Sequence, residues 1–223
     1  MAKKHRFART IENERAGAIT PAEYSGLQAA LDFFNKTLFA GRLPDNVFIV
    51  YTRKARSAGH FAANRYVGRA GELVCSEISL NPDLFPNQTD KQICQTLVHE
   101  MVHLERETLG TAPSRGYHDR QFAELMKRVG LQPSSTGAVG GKETGQHMSD
   151  YPIPDGAFER AYEELQATGW RLNLESAHQP GPRAGPNSKT KFSCKCGQNA
   201  WGRPDLKISC TPCEIPMRPA EAS

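Results

Sequence analysis

Two histidines and a glutamate in residues 96–107 (TLVHEMVHLERE) have the spacing found in metal-dependent hydrolases. His99 and His103 lie four residues apart, so on a helix they share one face and both imidazoles can reach one metal ion. Glu100 then stands beside that ion, where it can accept a proton from a water activated by the metal. Two histidines that only pack the helix are the alternative. Because idle polar groups on an apolar helix are costly to bury, the HExxH pattern predicts a metal site.

A tetrahedral catalytic zinc needs a third protein ligand and keeps its fourth position open. The downstream residues that could supply this ligand are His118, Glu124, Glu143, His147 and His178. His118 is favoured because it precedes the next expected helix, so that a helix–loop–helix turn would fold it back over the metal helix. His147 is more typical of a solvated surface residue. For the donor that stabilises an oxyanion, Tyr117, His147 and Tyr151 remain open.

Four cysteines near the C-terminus are spaced like the ligands of a structural zinc. The pattern is Cys194-x-Cys196 followed by Cys210-x-x-Cys213. It predicts a four-thiolate zinc ribbon, with free thiols or disulfides as the alternative. The first pair encloses one residue where ribbons usually enclose two or more, which leaves the geometry of that turn open.

Basic residues surround these cysteines and favour a nucleic-acid-binding face. The residues concerned are Lys191, Lys195, Arg203 and Lys207. Clustered Lys and Arg side chains bind phosphates, so DNA is the expected partner, and a merely solvated charged face is the alternative. Trp201 is expected in the small core, with a stacking surface as the second interpretation.

Length, charge and composition restrict the partners and the cellular location that can be expected. The 223 residues carry a formal net charge of +4, which is compatible with nucleic acid but does not require it. No apolar run approaches the ~18 residues that cross a membrane, so no membrane partner is expected. Cysteines at metal-like spacing are typical of a reducing compartment. We expect a cytoplasmic monomer, with a nucleoid-associated or nuclear location as the alternative.

Hydrophobic periodicity and turn residues predict the elements that position the metal-binding residues. A helix over 20–39 begins with a capping box from Thr20 to Glu23, and the metal helix begins at Thr89 or Asp90 and ends at Gly110. Asp119 is expected first as the N-cap of a helix over 119–129, then as a partner of a metal ligand or a surface residue. Strands are predicted at 46–52, 59–66 and 72–80. Together these give an α+β fold with a small, mostly antiparallel sheet.

Composition shifts divide the chain into six segments. The predicted order is a basic flexible arm at 1–19, a catalytic domain at 20–132, a Gly/Ser-rich loop or linker at 133–150, a helix–strand extension at 151–178, a Pro/Gly linker at 179–190 and the zinc ribbon at 191–218.

The segment LVHEMVHLERETLG, followed by His118 in YHDRQF, resembles the SprT-like (Spartan-type) zinc metalloproteases. NKTLFAGRLP, ISLNPDLFP and the C-terminal ribbon extend the resemblance over 20–132 and 190–217. It implies a compact zincin-like fold, a catalytic zinc held by His99, His103 and His118, and Glu100 as general base. It further implies that the substrates are proteins bound or crosslinked to DNA, in DNA–protein crosslink repair.

Three functions are consistent with these features. The first is a zinc endopeptidase acting near DNA, with one catalytic and one structural Zn²⁺. The second is a DNA- or transcription-associated zinc-binding protein without significant protease turnover, and the third is a peptidase with no link to nucleic acid. Glu100 favours an enzyme, because a purely structural metal site does not need a carboxylate beside it.

Overall fold

The computed structural model describes residues 18–54, 57–113, 116–177 and 190–219. The chain divides into two compact units, Met1–His178 and Gln179–Ser223. The arm expected at 1–19 and the linker expected at 179–190 fall almost wholly outside the described residues. Among the helices of the described part, none has the length and apolar character needed to span a membrane.

The first helix, α1, covers Ile19–Leu38 and buries Leu27 and Phe34 in the core. The expected capping box is wrong: the helix starts after Ala18, which makes no side-chain cap hydrogen bond. Glu23 is instead buried and accepts a 2.6 Å hydrogen bond from the Tyr51 hydroxyl. Tyr51, which is distant in sequence, therefore binds the carboxylate that the sequence pattern assigned to the N-terminus of the helix.

A three-stranded sheet packs on the helices. Its strands are β1 (Val47–Tyr51), β2 (Gly59–Val67) and β3 (Val74–Leu80), in the order β1-β3-β2. β2 and β3 are antiparallel, but β1 and β3 are parallel, so the expected mostly antiparallel sheet is mixed. The reason is that the chain crosses from one edge to the other between β1 and β2. β2 is consequently an edge strand, and its register shifts between Ala62 and Tyr66.

A 3-10 helix (Pro82–Asn87) leads from the sheet into α2 (Asp90–Thr108). Thr89 is the N-cap and forms a capping box with Gln92, and Gly110 follows the C-cap residue with a φ of 65°. The expected start and end of the metal helix are therefore confirmed. Its apolar face, which includes Leu97, Val98, Met101 and Val102, is buried in the core.

Residues after α2 form a short helix and a hairpin. The elements are α3 (Arg120–Arg128), β4 (Leu131–Ser134), β5 (Ser149–Pro152) and α4 (Ala157–Ala167). Asp119 caps α3 by accepting a 2.9 Å hydrogen bond from the Phe122 N–H, as expected. β4 and β5 pair antiparallel, so residues 133–150 contain most of a hairpin and do not form a free linker. Gly130, with a φ of 88°, turns the chain from α3 straight into β4.

The expected extension at 151–178 contains α4 but no strand over its described residues 168–177. An extended segment runs there instead, and it contacts α1. Trp170 Nε1 donates a 2.8 Å hydrogen bond to the Gly26 carbonyl.

Over its described residues, 190–219, the second unit contains five short strands. They are β6 (Thr190–Ser193), β7 (Asn199–Gly202), β8 (Ser209–Cys210), β9 (Ile215–Pro216) and β10 (Arg218–Pro219). β6 lies between β10 and β7, and β8 pairs with β9. Its buried core consists of Phe192, Cys194, Cys210 and Met217.

Candidate active site and zinc centres

Three histidines converge in the first unit. His99 and His103 project from α2, and His118 lies just before α3. The His118 Nε2 atom is 3.3 Å from His99 Nε2 and 3.1 Å from His103 Nε2. One ligand atom from each residue lies within 4.8 Å of the others.

This donor set fits zinc. Two nitrogens of a tetrahedral zinc, each about 2.0–2.1 Å from the metal, are separated by about 3.3 Å. The observed Nε2–Nε2 separations of 3.3 and 3.1 Å are close to that value. Three imidazoles with one side facing a cleft are compatible with zinc binding and are typical of a catalytic site.

His118 is held by backbone contacts on one side. Its N–H and carbonyl exchange two 3.0 Å hydrogen bonds with Gly145, and its Nδ1 lies 3.2 Å from the Gly145 carbonyl oxygen. Next to it, Asp119 accepts hydrogen bonds of 2.6 and 3.1 Å from the buried guanidinium of Arg106. Arg106 belongs to α2, so this pair ties the segment that carries His118 to the metal helix.

The Phe122 ring contacts all three imidazoles. Its centroid lies 5.2 Å from that of His99, 4.4 Å from that of His103 and 4.7 Å from that of His118. The ring is buried and covers the imidazoles on the α3 side. Burial lowers the pKa of His103 to about 2 and that of His118 to about 4, which keeps both in the neutral, metal-binding form.

Asp150 of β5 is a site residue that sequence reasoning missed. Its Oδ2 atom lies 2.8 Å from His99 Nδ1. Gln95 Nε2 donates 2.8 Å hydrogen bonds to both Oδ1 and the backbone carbonyl of Asp150. Burial lowers the pKa of His99, but Asp150 and then Glu100 outweigh that effect and raise it. The one signal in the sequence is that Asp150 stands where a Gly/Ser-rich segment gives way to apolar residues.

Glu100 lies beside the histidines with only 6% of its surface exposed. Burial raises the pKa of its carboxyl to about 7, against the opposing positive charges of His99 and Lys54 and a hydrogen bond from the Phe61 backbone. Gly59 passes so close that a Cβ there would lie 3.1 Å from Glu100 Oε1 and 2.9 Å from the Ser79 carbonyl oxygen. The carboxylate is thus enclosed by α2 and the edge of β2.

A cleft of about 830 Å³ opens onto this cluster. Its walls include β2, α2 and the residues around His118 and Asp150, and His147 also lines it. Tyr117 and Tyr151 are not among the described residues that line the cleft. Of the potential oxyanion donors, His147 is therefore the one that the structure brings to the site.

The other described residues considered as a third ligand are not part of the three-histidine cluster. Glu124 pairs with Arg120 and Glu143 pairs with Lys127, both on the surface. His147 is exposed and is not part of the three-histidine cluster. His178 lies outside the described residues.

The four cysteines of the second unit also come together, with one sulfur from each within 4.8 Å of the others. Each pair sits in a tight turn: the Gly197 N–H donates to the Cys194 carbonyl at 2.9 Å, and the Cys213 N–H donates to the Cys210 carbonyl at 3.2 Å. Gly197 has a φ of 86°, which completes the shorter turn of the first pair. Hydrogen bonds from the Gln198 backbone and the neighbouring thiols lower the pKa of Cys196 to about 7. The cluster is compatible with a structural zinc.

The basic residues of this unit are exposed. Lys191, Lys195, Arg203 and Lys207 all reach solvent, and Arg203 pairs with Asp205 at 3.2 Å. The expectation that Trp201 is a core residue is wrong, because 60% of its surface is exposed. It lies directly opposite Lys191 across β6 and β7, on the face away from the buried Phe192.

Comparison with known proteins agrees with this site. The sequence model of the SprT-like family matches residues 27–139, just over half of the chain, and the match includes the three histidines and Glu100. A relative from Salmonella typhimurium, described as "Uncharacterized protein in mucB 3'region", is 41% identical over 59 residues, which are 26% of this chain and 78% of the relative. The match to the family model indicates a metalloprotease-type function. The chain belongs to the SprT-like family.

Proposed function

We propose that this protein is a zinc-dependent endopeptidase in which His99, His103 and His118 hold the catalytic metal and Glu100 is the general base. One observation carries the proposal: three imidazole nitrogens converge beside a buried carboxylate at the floor of an open cleft. A purely structural site would be closed and would not need the carboxylate.

The chain's own residues account for the proton transfers. Bound zinc supplies a Lewis acid that polarises the scissile carbonyl and lowers the pKa of water. Glu100 accepts a proton from the attacking water and delivers it to the departing amine. A carboxyl with a pKa of about 7 can do both near neutral pH. His147, which lines the cleft, is positioned to donate to the developing oxyanion.

The outer edge of β2, which is unpaired in the described chain, supports the proposal that the substrate is an extended peptide. Four residues of this strand line the cleft: Gly59, His60, Phe61 and Ala63. An edge strand has backbone groups free to pair with another chain, so a peptide laid along it would pass Glu100 in extended form. The position of α2, which carries two of the histidines, beside this edge strand supports a zincin-like fold.

Replacing Glu100 with Gln tests the general base. The variant should bind as much zinc as the wild type but lose cleavage by at least ~10²-fold, because proton transfer contributes about 10²–10⁴-fold. Zinc content and cleavage of a DNA-binding protein would be measured for both, with and without single-stranded DNA. Full activity in the variant would end the assignment. Zinc and DNA binding without cleavage by either protein would instead identify a DNA-associated binding protein.

We further propose that the substrates are proteins bound or crosslinked to DNA, which the ribbon positions. The support is a solvent-exposed face that places Trp201 opposite Lys191, with Lys195, Arg203 and Lys207 also exposed. An aromatic ring flanked by cations is suited to a nucleic-acid base and its phosphates.

Changing Trp201 and Lys191 together to Ala should weaken single-stranded DNA binding and reduce its salt dependence. Lys36 of α1, an exposed lysine in the other unit, provides the matched Lys→Ala control. Binding would be measured by fluorescence anisotropy at several salt concentrations. DNA affinity that survives removal of residues 190–223 would exclude a ribbon-mediated interaction.

A further inference from the structure

Asp150 contacts the metal cluster without belonging to it. Its side chain is buried, yet it is the one carboxylate within the described chain that has a hydrogen bond to a histidine of the cluster. A buried carboxylate is costly without partners, and here both oxygens are used: Oδ2 by His99 and Oδ1 by Gln95.

We infer that Asp150 is the positioning residue of the first metal ligand, fixing the tautomer and orientation of His99. The inference rests on the proposed zinc site. It assigns a role to the β4–β5 hairpin, which brings Asp150 to a histidine that lies 51 positions away in sequence.

The chemical argument follows from the hydrogen-bond roles. An ionised carboxylate is acceptor-only, so His99 Nδ1 must carry the hydrogen at the 2.8 Å contact. The neutral ring then presents the lone pair of Nε2, and Nε2 is the atom that faces His118. Asp150 thereby selects the tautomer that can bind a metal, and its negative charge raises the basicity of that nitrogen.

Gln95 fixes Asp150 in turn. The two 2.8 Å hydrogen bonds from one Gln95 amide nitrogen, to Oδ1 and to the backbone carbonyl, set which carboxylate oxygen faces Gln95 and which faces His99. His118 differs, because the acceptor that lies 3.2 Å from its Nδ1 is the uncharged Gly145 carbonyl oxygen. Of these two acceptors, only the Asp150 carboxylate beside His99 can carry a full negative charge.

Asp150→Asn separates this role from simple packing. With Gln95 donating to the amide oxygen, the Asn NH₂ group would face His99 Nδ1 and force the opposite tautomer, with the hydrogen on Nε2. We expect the histidine site to lose zinc affinity by roughly 10–100-fold. Asp150→Ala, which removes the acceptor without adding a donor, should lose less. Adding Gln95→Leu to Asp150→Asn should restore part of the affinity, because the amide can then rotate.

Zinc affinity would be measured by competition with a fluorescent chelator, using the full chain. The four-cysteine site of the same molecule is the internal reference, and Asp45→Asn, at an exposed residue outside the cleft, is the matched control. Far-UV circular dichroism would show that each metal-free variant has the same secondary-structure content as the metal-free wild type. Wild-type zinc affinity in Asp150→Asn would overturn the inference. Equal losses in Asn and Ala, without rescue by Gln95→Leu, would do the same.

The same titration tests the proposed function separately. Wild type should bind two zinc ions and His103→Ala one. If the wild type bound zinc only at the cysteines, the proposed catalytic site would fail and the role of Asp150 with it. Two zinc ions in wild type and an unaffected Asp150→Asn would overturn the role of Asp150 alone.

Discussion

Glu100 is almost completely enclosed by protein, and this burial sets the pH range in which it can accept a proton. Its pKa is raised to about 7, chiefly because the ionised form loses contact with water. The pKa of a general base is most useful near the working pH, so the enclosure has a direct chemical consequence.

The pH profile of cleavage should therefore rise as pH increases toward neutrality. Only the ionised carboxylate accepts a proton, and this form is lost as pH falls through the pKa of about 7. The positive charge of a bound metal lowers this pKa, so the midpoint of the acid limb should lie at or below about 7. The measurement is kcat/KM from pH 5 to 9. A kcat/KM that declines between pH 5 and 7 would contradict the role of Glu100.

Site residues that are set by local spacing could be predicted from the sequence, whereas the one that is set by a distant contact could not. His99, Glu100 and His103 follow from spacing along one helix, and the paired cysteines follow from spacing within two turns. Asp150 could not be predicted, because its contact with His99 depends on how the β4–β5 hairpin folds back onto α2. Nothing within a few residues of Asp150 encodes that contact.

Among the elements, the close approach of β2 to α2 is the feature that places the general base. Gly59 makes it possible: a Cβ at this position would lie 2.7 Å from Thr96 Cγ2 and 2.9 Å from the Ser79 carbonyl oxygen. Real Cβ atoms do not come this near to backbone, so any larger residue must push the strand and helix apart.

Gly59→Ala should lower kcat while leaving zinc content unchanged, because the three atoms nearest to the added Cβ include Glu100 Oε1 and no imidazole atom. Gly26→Ala is the matched control, since a Cβ at that position in α1 meets no atom within 4 Å. That change should stabilise the protein by about 0.5–1 kcal/mol through helix propensity. Steady-state kinetics and thermal unfolding would be measured for both. Wild-type kcat in Gly59→Ala would show that the approach is not needed for catalysis.

Element boundaries were predictable where a local cap defines them. The Thr89 and Asp119 caps appear where the pattern predicted them, and Thr89 in addition forms a capping box with Gln92. Strand order was not predictable in this way, because the parallel pairing of β1 with β3 depends on a crossover that leaves no local trace. The role of Glu23 was likewise not predictable from local sequence. Its carboxylate accepts a hydrogen bond from the distant Tyr51 and does not form the expected capping box.

On the scale of the whole molecule, the two units differ in what holds them together. The first has a core that draws on helices and sheet alike. Within the described part of the second, four residues are buried in a core, and two of these, Cys194 and Cys210, belong to the cysteine cluster. So small a core cannot stabilise a fold by hydrophobic burial alone. Trp201 lies outside this core, because the pairing of β6 with β7 places it on the face opposite to the buried Phe192.

Removing zinc should consequently unfold the second unit and spare the first. We expect limited trypsin digestion after chelation to cut first within residues 190–219, because metal binding supplies most of the folding free energy of such ribbons. Cys213→Ser should reproduce this sensitivity without chelator. If the second unit resisted trypsin equally with and without zinc, its fold would not depend on the metal.

Under the proposed function, the irregularity in β2 limits how a substrate peptide can be recognised. Regular pairing with β3 runs from Gly59 to Ala62 and then shifts, with Asn64 in a left-handed conformation at a φ of 50°. A bulge twists an edge away from further pairing, so only a few substrate residues can be gripped through their backbone. Because few substrate residues would be contacted, cleavage would depend little on the substrate sequence. It would depend mainly on whether an extended segment is accessible. Mapped cleavage sites should then fall in loosened regions with varied sequences. A strict consensus around the cut would contradict this.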